Sequence, residues 1–135
     1  MGKNLILKTA AGAGKHRVQL LLLPVGEDIL AVFFGGDRPH VGAVAVAIPR
    51  PSLRDPSRLS ATSSVFTLVG HKDDEVARMA SERLARELNR VAVVACGIHV
   101  EKATRADIGK LIQNAKLSLE KAINSLKKRC WTGLS

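Results

Sequence analysis

An α+β fold is predicted for this chain by three observations. Short apolar alternations follow one another through the first half, each closed by glycine, proline or aspartate. Two long stretches in the second half repeat their apolar residues with helical period. A nearly unbroken apolar run, VAVVACGIHV, lies between those two stretches. The expected architecture is a mostly antiparallel sheet laid down as a strand meander, then helix, strand and helix, with both helices packed on one face of the sheet.

The elements follow in order. Residues 1–15 read as a lead-in with a short strand at Asn4–Lys8. GAGK at Gly12–Lys15 has half the form of a phosphate-binding loop. Thr9 stands where the first glycine belongs and His16 replaces the magnesium-binding hydroxyl, so nucleotide triphosphate hydrolysis is excluded. Arg17–Pro24 and Ile29–Phe34 form a hairpin about the turn Gly26-Glu27-Asp28. Gly35-Gly36-Asp37-Arg38-Pro39 breaks the second strand. Val41–Ile48 is a strand with Val44, Val46 and Ile48 on one face. Its other positions are small (Gly42, Ala43, Ala45, Ala47), which lets a helix, a backbone or a flat ligand come close. Pro49–Ser60 is the one long loop, and Ala61–Val69 the strand after it.

The first helix is expected from Asp73 to Asn89, with Val76, Ala80, Leu84 and Leu88 inward and Asp73, Asp74 and Glu75 in the first turn, where negative charge suits the dipole. Val91–Val100 should be central and covered on both faces. Thr104 and Asp107 form a variant capping box that opens a second helix reaching about Lys128. Its wide apolar stripe is compatible with a homo-oligomer seam. Residues 16–128 thus form one domain, and residues 129–135 a tail.

Composition narrows the function classes. The chain has 135 residues, 46% hydrophobic, enough for an aliphatic core. Aromatics are 3%, so stacking platforms for single-stranded nucleic acid are nearly absent, and nucleic acid is not the expected partner. The net charge of +9 suits an anionic ligand or acidic partner as well as a solvated surface. Cys96 and Cys130 form no disulfide framework and no metal-type pair. No run approaches the ~20 apolar residues of a membrane helix, and a cytoplasmic location is expected.

Histidines are the main candidates for chemistry. His40, His71 and His99 each lie within two residues of a glycine at a strand end, where sharp turns and close approaches are feasible. Brought together, the three could hold a divalent metal ion with an open position, with Asp73 as a further ligand or orienting carboxylate. Left apart, each would cap a turn. Arg38, Arg50 and Arg54 could serve a phosphate or carboxylate, or stay solvated. No activated nucleophile is visible.

Three blocks, GGDRPHVGAVAVAIPRP, SVFTLVGHKDDEVA and GIHV followed by the Thr-capped helix, together resemble the prenylated-flavin chaperone family, the small D subunit of gallate-type hydroxyarylic acid decarboxylase systems. The likeness runs from about Gly14 to Ile123. It implies a fold like that of proteasome-assembly chaperones. It also implies a non-enzymatic accessory role: binding prenylated FMN and helping its maturation or delivery to a UbiD-type decarboxylase, with a flavin prenyltransferase as a second partner. The matched positions are Gly35, Gly36, Pro39, His40, Gly70, His71, Asp73, Gly97 and His99. With Arg50, and leaving Asp73 to the metal, they are the expected cofactor site, the flat ring lying on the alanine face of the third strand. Two rival readings stand beside it: a small metal-dependent enzyme using the three histidines, and a ligand-free assembly chaperone.

Overall fold

The computed structural model describes residues 6–68 and 72–128. Its elements are β1 (Leu7–Ala11), a single 3-10 turn at Gly14–His16, β2 (Val18–Val25), β3 (Asp28–Gly36), β4 (Ala43–Pro51), β5 (Leu59–Thr67), α1 (Asp73–Leu88), β6 (Ala92–His99) and α2 (Arg105–Lys128). The fold is the expected α+β arrangement. The first strand lies further along than residues 4–8, of which 4 and 5 fall outside the described residues.

The six strands form one sheet in the order β1-β2-β3-β6-β4-β5. Every neighbouring pair is antiparallel except β3 with β6. The meander therefore holds for β1–β3 and again for β4–β5, but the last strand inserts between these halves. The apolar β6 suits the middle of the sheet, where both edges of its backbone are paired. Its insertion forces the β3–β4 connection, Asp37–Gly42, to cross the end of β6. The candidate site arises at that crossing.

Alternation along the strands decides which face is buried. Val18, Leu20 and Leu22, then Ile29, Ala31 and Phe33, then Ala92, Val94, Cys96 and Ile98, then Ala43, Ala45 and Ala47 all lie buried on one side. The register aligns them: Leu20 pairs with Phe33, Phe33 with Cys96, and Cys96 with Ala43. Helix α1 covers β4, β5 and β6, and α2 covers β1 and β2.

Two expectations about covering are corrected. The alanine face of β4 does not receive a flat ring. Ala43, Ala45 and Ala47 are fully buried in the cluster that contains Ala77 and Ala80 of α1, because small side chains on both elements let helix and sheet approach closely. Nor is β6 covered on both faces among the described residues: Val93 and Ala95 remain half-exposed, since both helices share the other face. The stripe of α2 (Leu111, Ala115, Leu119, Ala122, Ile123) is likewise spent on the sheet and is not a free seam.

The long loop is shorter than expected. Strand pairing continues to Pro51 opposite Leu59, leaving residues 52–58 as the connection. Pro49 and Pro51 are tolerated because β6 stops flanking β4 at Ala47, so the strand is an edge beyond it.

Helix ends follow their sequence signals. Asn89 closes α1 in the left-handed conformation (φ 54°), its N–H donating to the Ala85 carbonyl. The Thr104 hydroxyl accepts from the Asp107 N–H at 3.0 Å, and the Asp107 carboxylate accepts from the Thr104 N–H at 2.9 Å.

The helices are clasped by ion pairs: Glu87 with Lys127 at 2.7 Å and with Arg83 at 3.4 Å, and Arg83 with Glu120 at 2.7 Å. The Lys127 ammonium, then the Arg83 guanidinium, hold the Glu87 carboxyl below its ordinary range. A carboxyl whose pKa is depressed on folding contributes stability above its unfolded value near 4.3 and loses it as pH falls through the folded value. Glu87→Gln should therefore lower stability at neutral pH by about 0.5 kcal/mol, after allowance for solvent screening. The difference from wild type should vanish in acid, as read by urea denaturation at a series of pH values.

Candidate functional site

The site is built where the Asp37–Gly42 connection crosses the end of β6. Strand β3 ends at Gly36, with φ +80°, where a side chain would meet the His99 carbonyl oxygen at 2.2 Å. The connection is then stitched along β6. The Asp37 and Arg38 N–H groups donate to the His99 carbonyl at 2.6 and 3.3 Å, and the Gly42 N–H donates to the Cys96 carbonyl at 2.8 Å. The Asp37 carboxylate accepts from the Glu101 N–H at 3.0 Å. Over Gly97 the crossing is so close that an added Cβ would lie 1.3 Å from the His40 carbonyl oxygen. Only glycine fits there.

This crossing brings His40 and His99 together. Their ring centroids are 6.0 Å apart and the rings meet edge to face at 77°. Both are partly exposed, at 33% and 43% of the side chain.

The start of α1 supplies the third member. Asp73 is 1% exposed and wedges in beside β6. One carboxylate oxygen accepts from the Ile98 N–H at 3.1 Å and lies 3.6 Å from the Cys96 sulfur. The other faces the His40 Nε2 at 3.6 Å, giving a protonated imidazole a counter-charge. Gly42 makes room for it: a Cβ there would come within 2.1 Å of this second oxygen. Asp73 is thus a first-turn helix residue and a member of the cluster at once.

Around this centre, the His99 Nε2 stands 3.4 Å from Glu101, which also pairs with Arg38. The Arg38 guanidinium, then His99, holds the Glu101 carboxyl below its ordinary range. Burial, then the Asp73 charge, pushes the Cys96 thiol far above its ordinary value, so Cys96 is a core residue and no nucleophile.

The predicted residues divide as follows. Gly35, Gly36, Pro39, His40, Asp73, Gly97 and His99 lie at this end of the sheet. Gly70 and His71 lie outside the described residues. Arg50 is elsewhere. It donates to the Thr62 hydroxyl at 2.6 Å and the Pro51 carbonyl at 3.0 Å, seven residues along β4 from Ala43, or roughly 23 Å. Arg54 shares a shallow concavity of about 330 Å³ with Arg58 and Arg86, formed by the β4–β5 loop rather than by the histidine end.

Among the described residues no group of three or more His, Cys, Asp or Glu stands where one metal ion could be held, so the metal-centre reading gains no support. His16 keeps apart from the cluster. Its Nε2 meets Asp107 at 2.8 Å, and Asn114 donates to its carbonyl at 2.8 Å, tying the 3-10 turn to α2. Sequence reasoning counted Gly42 only among the small positions of the third strand, and it passed over Glu101. Glu101 could have been found from its place two residues beyond His99.

Residues 12–127 match the family described as the prenylated flavin chaperone LpdD-like domain. The chain belongs to that family. A relative, Protein LpdD of Lactiplantibacillus plantarum, is 28% identical over 93 residues, 69% of this chain. The match spans 65% of that relative's length. Among solved structures, a chaperone complex for yeast 20S proteasome assembly contains a chain of the same fold, with TM-score 0.57, 18% identity, and 97% of this chain and 98% of that one covered. In this member of the family the fold is a six-stranded sheet with two helices on one face, and His40, His99 and Asp73 lie together at one end. No helix among the described residues is long and apolar enough to cross a membrane.

Proposed function

We propose that this chain binds prenylated FMN and assists its maturation or its delivery to a UbiD-type arylic acid decarboxylase, taking the flavin from a prenyltransferase. The observation that carries the reading is the approach of His40 and His99 to 6.0 Å, beside a buried carboxylate, in a member of the prenylated flavin chaperone family. Two imidazoles in this setting can each donate or accept hydrogen bonds. They suit the polar edge of a flavin or its phosphate. The Asp73 carboxylate, fixed by the Ile98 N–H of β6, faces His40 at 3.6 Å. The net charge of +9 attracts the phosphate. Residue 71, two positions before Asp73, belongs to the same junction in the chain.

The test is reconstitution. Apo-decarboxylase is mixed with prenylated FMN, with and without this protein, and active enzyme is followed with time. The protein should speed the appearance of activity, and a His40→Ala/His99→Ala variant should not. Equal rates in all three mixtures would remove the proposal.

A further inference from the structure

The concavity beside the β4–β5 connection gathers three guanidinium groups. Arg54 and Arg58 come from the connection and Arg86 from the last turn of α1. All three residues are exposed, and none of the three side chains makes a hydrogen bond or ion pair with another described residue. Other cations of the chain are neutralised at home: Arg83 by Glu87 and Glu120, Lys127 by Glu87, and Arg38 by Glu101. Like charges collected in one place repel one another until an anion joins them. Asp55 is the one acidic residue lining the concavity, and Ser57 already engages it through its N–H at 3.1 Å and its hydroxyl at 2.6 Å.

The connection is also held in shape. The Ser52 N–H donates to the Arg58 carbonyl at 2.8 Å, and the Arg58 N–H to the Asp55 carbonyl at 2.9 Å. The Ser52 hydroxyl accepts from the Arg54 N–H at 3.2 Å. Arg54 and Arg58 are therefore presented from a closed frame, and a ligand need not order the backbone that carries them. The frame begins beyond Pro51, whereas the His40 crossing ends before Ala43. Eight strand steps separate them, or roughly 26 Å. This is a second site, apart from the histidine end.

Its form decides what it takes. A small-molecule pocket encloses most of its ligand, and this concavity is shallow. Binding of single strands of nucleic acid leans on aromatic stacking, and no aromatic residue lines it. Clustered arginines suit carboxylates, which the planar guanidinium can grip with two hydrogen bonds. Leu59, 41% exposed at the concavity, offers apolar surface to the methylene groups of glutamate.

We propose that Arg54, Arg58 and Arg86 form a docking site for an acidic segment of a partner protein, rich in aspartate or glutamate. The partner is held at the end of β4 remote from His40 and His99, which stay open. The inference rests on the three arginines and is independent of the flavin reading.

Fluorescence anisotropy of a fluorescein-labelled hexaglutamate peptide, titrated with the full chain at low ionic strength, tests it. Wild type should bind saturably, and added salt should weaken binding. Arg54→Gln/Arg58→Gln/Arg86→Gln alters only exposed side chains without partners, so the fold is kept, and it should weaken binding about tenfold or more. Arg78→Gln/Lys110→Gln/Lys116→Gln removes the same charge from exposed positions elsewhere on the helices and should weaken it less than about threefold. Equal losses in the two triple variants would reduce the effect to net charge and overturn the proposal. A wild type that shows no saturable binding overturns it too. Tighter binding of inorganic phosphate, or of a labelled hexathymidylate, through the same three arginines would overturn it in favour of a phosphate ligand or a nucleic acid.

Discussion

Gly97→Ala should destabilise the protein by roughly 3 kcal/mol, a fall in melting temperature of roughly 10 °C. The added methyl would sit 1.3 Å from the His40 carbonyl oxygen, a backbone atom that no side-chain rotation can move. The Asp37–Gly42 connection must lift from β6, breaking its hydrogen bonds to the Cys96 and His99 carbonyls. Gly26→Ala is the control. That glycine has φ +61° in the β2–β3 turn but nothing within 4 Å of a Cβ. Its substitution should cost only the conformational strain, about 1 kcal/mol. Thermal melts of the two variants separate a crossing that demands close approach from a turn that demands only a left-handed backbone. Equal losses would mean that the connection is not pressed on β6 as described.

Asp73 carries the second large effect. Asp73→Ala leaves the buried Ile98 N–H without its acceptor and should cost roughly 2 kcal/mol. Asp73→Asn keeps a carbonyl oxygen for that N–H and should cost about 1 kcal/mol or less, while removing the charge that faces His40. Urea denaturation reads the stabilities, and flavin binding reads the site. The account expects the asparagine variant to fold nearly as well as wild type and to bind prenylated FMN more weakly. If the alanine and asparagine variants lose stability alike, the carboxylate is not the acceptor for Ile98.

These two residues also mark how far the sequence could be read. Periodicity was enough for the helices, because α1 and α2 bury one stripe each, and Thr104 and Asp107 announced the start of α2. Alternation was enough for the strands, but it does not say which strands neighbour each other. The insertion of β6 between β3 and β4 follows from long-range pairing, and with it came the errors over covering. A strand of small residues such as β4 reads equally as a ligand platform or a helix seat, and the alanines of α1 decide for the helix. Of the histidines beside glycines, His40 and His99 come together at one end of the sheet. Arg50 did not belong there, because β4 runs straight on from Ala43 and carries it to the far end. In the sequence Asp73 reads as either a helix-start residue or a partner of the histidines, and the one carboxylate stands in the first turn of α1 and faces His40.

The central claim is that His40 and His99, with Asp73 behind them, form one site for prenylated FMN. Titrating prenylated FMN into isotopically labelled protein and following imidazole and backbone signals by NMR tests it directly. The account predicts that the His40 and His99 rings and the Ile98 amide shift together, saturating at one flavin concentration, while His16 and Arg50 stay in place. Shifts centred on Arg50 or on the Arg54–Arg58–Arg86 concavity, with the His40 and His99 signals unmoved, would contradict it.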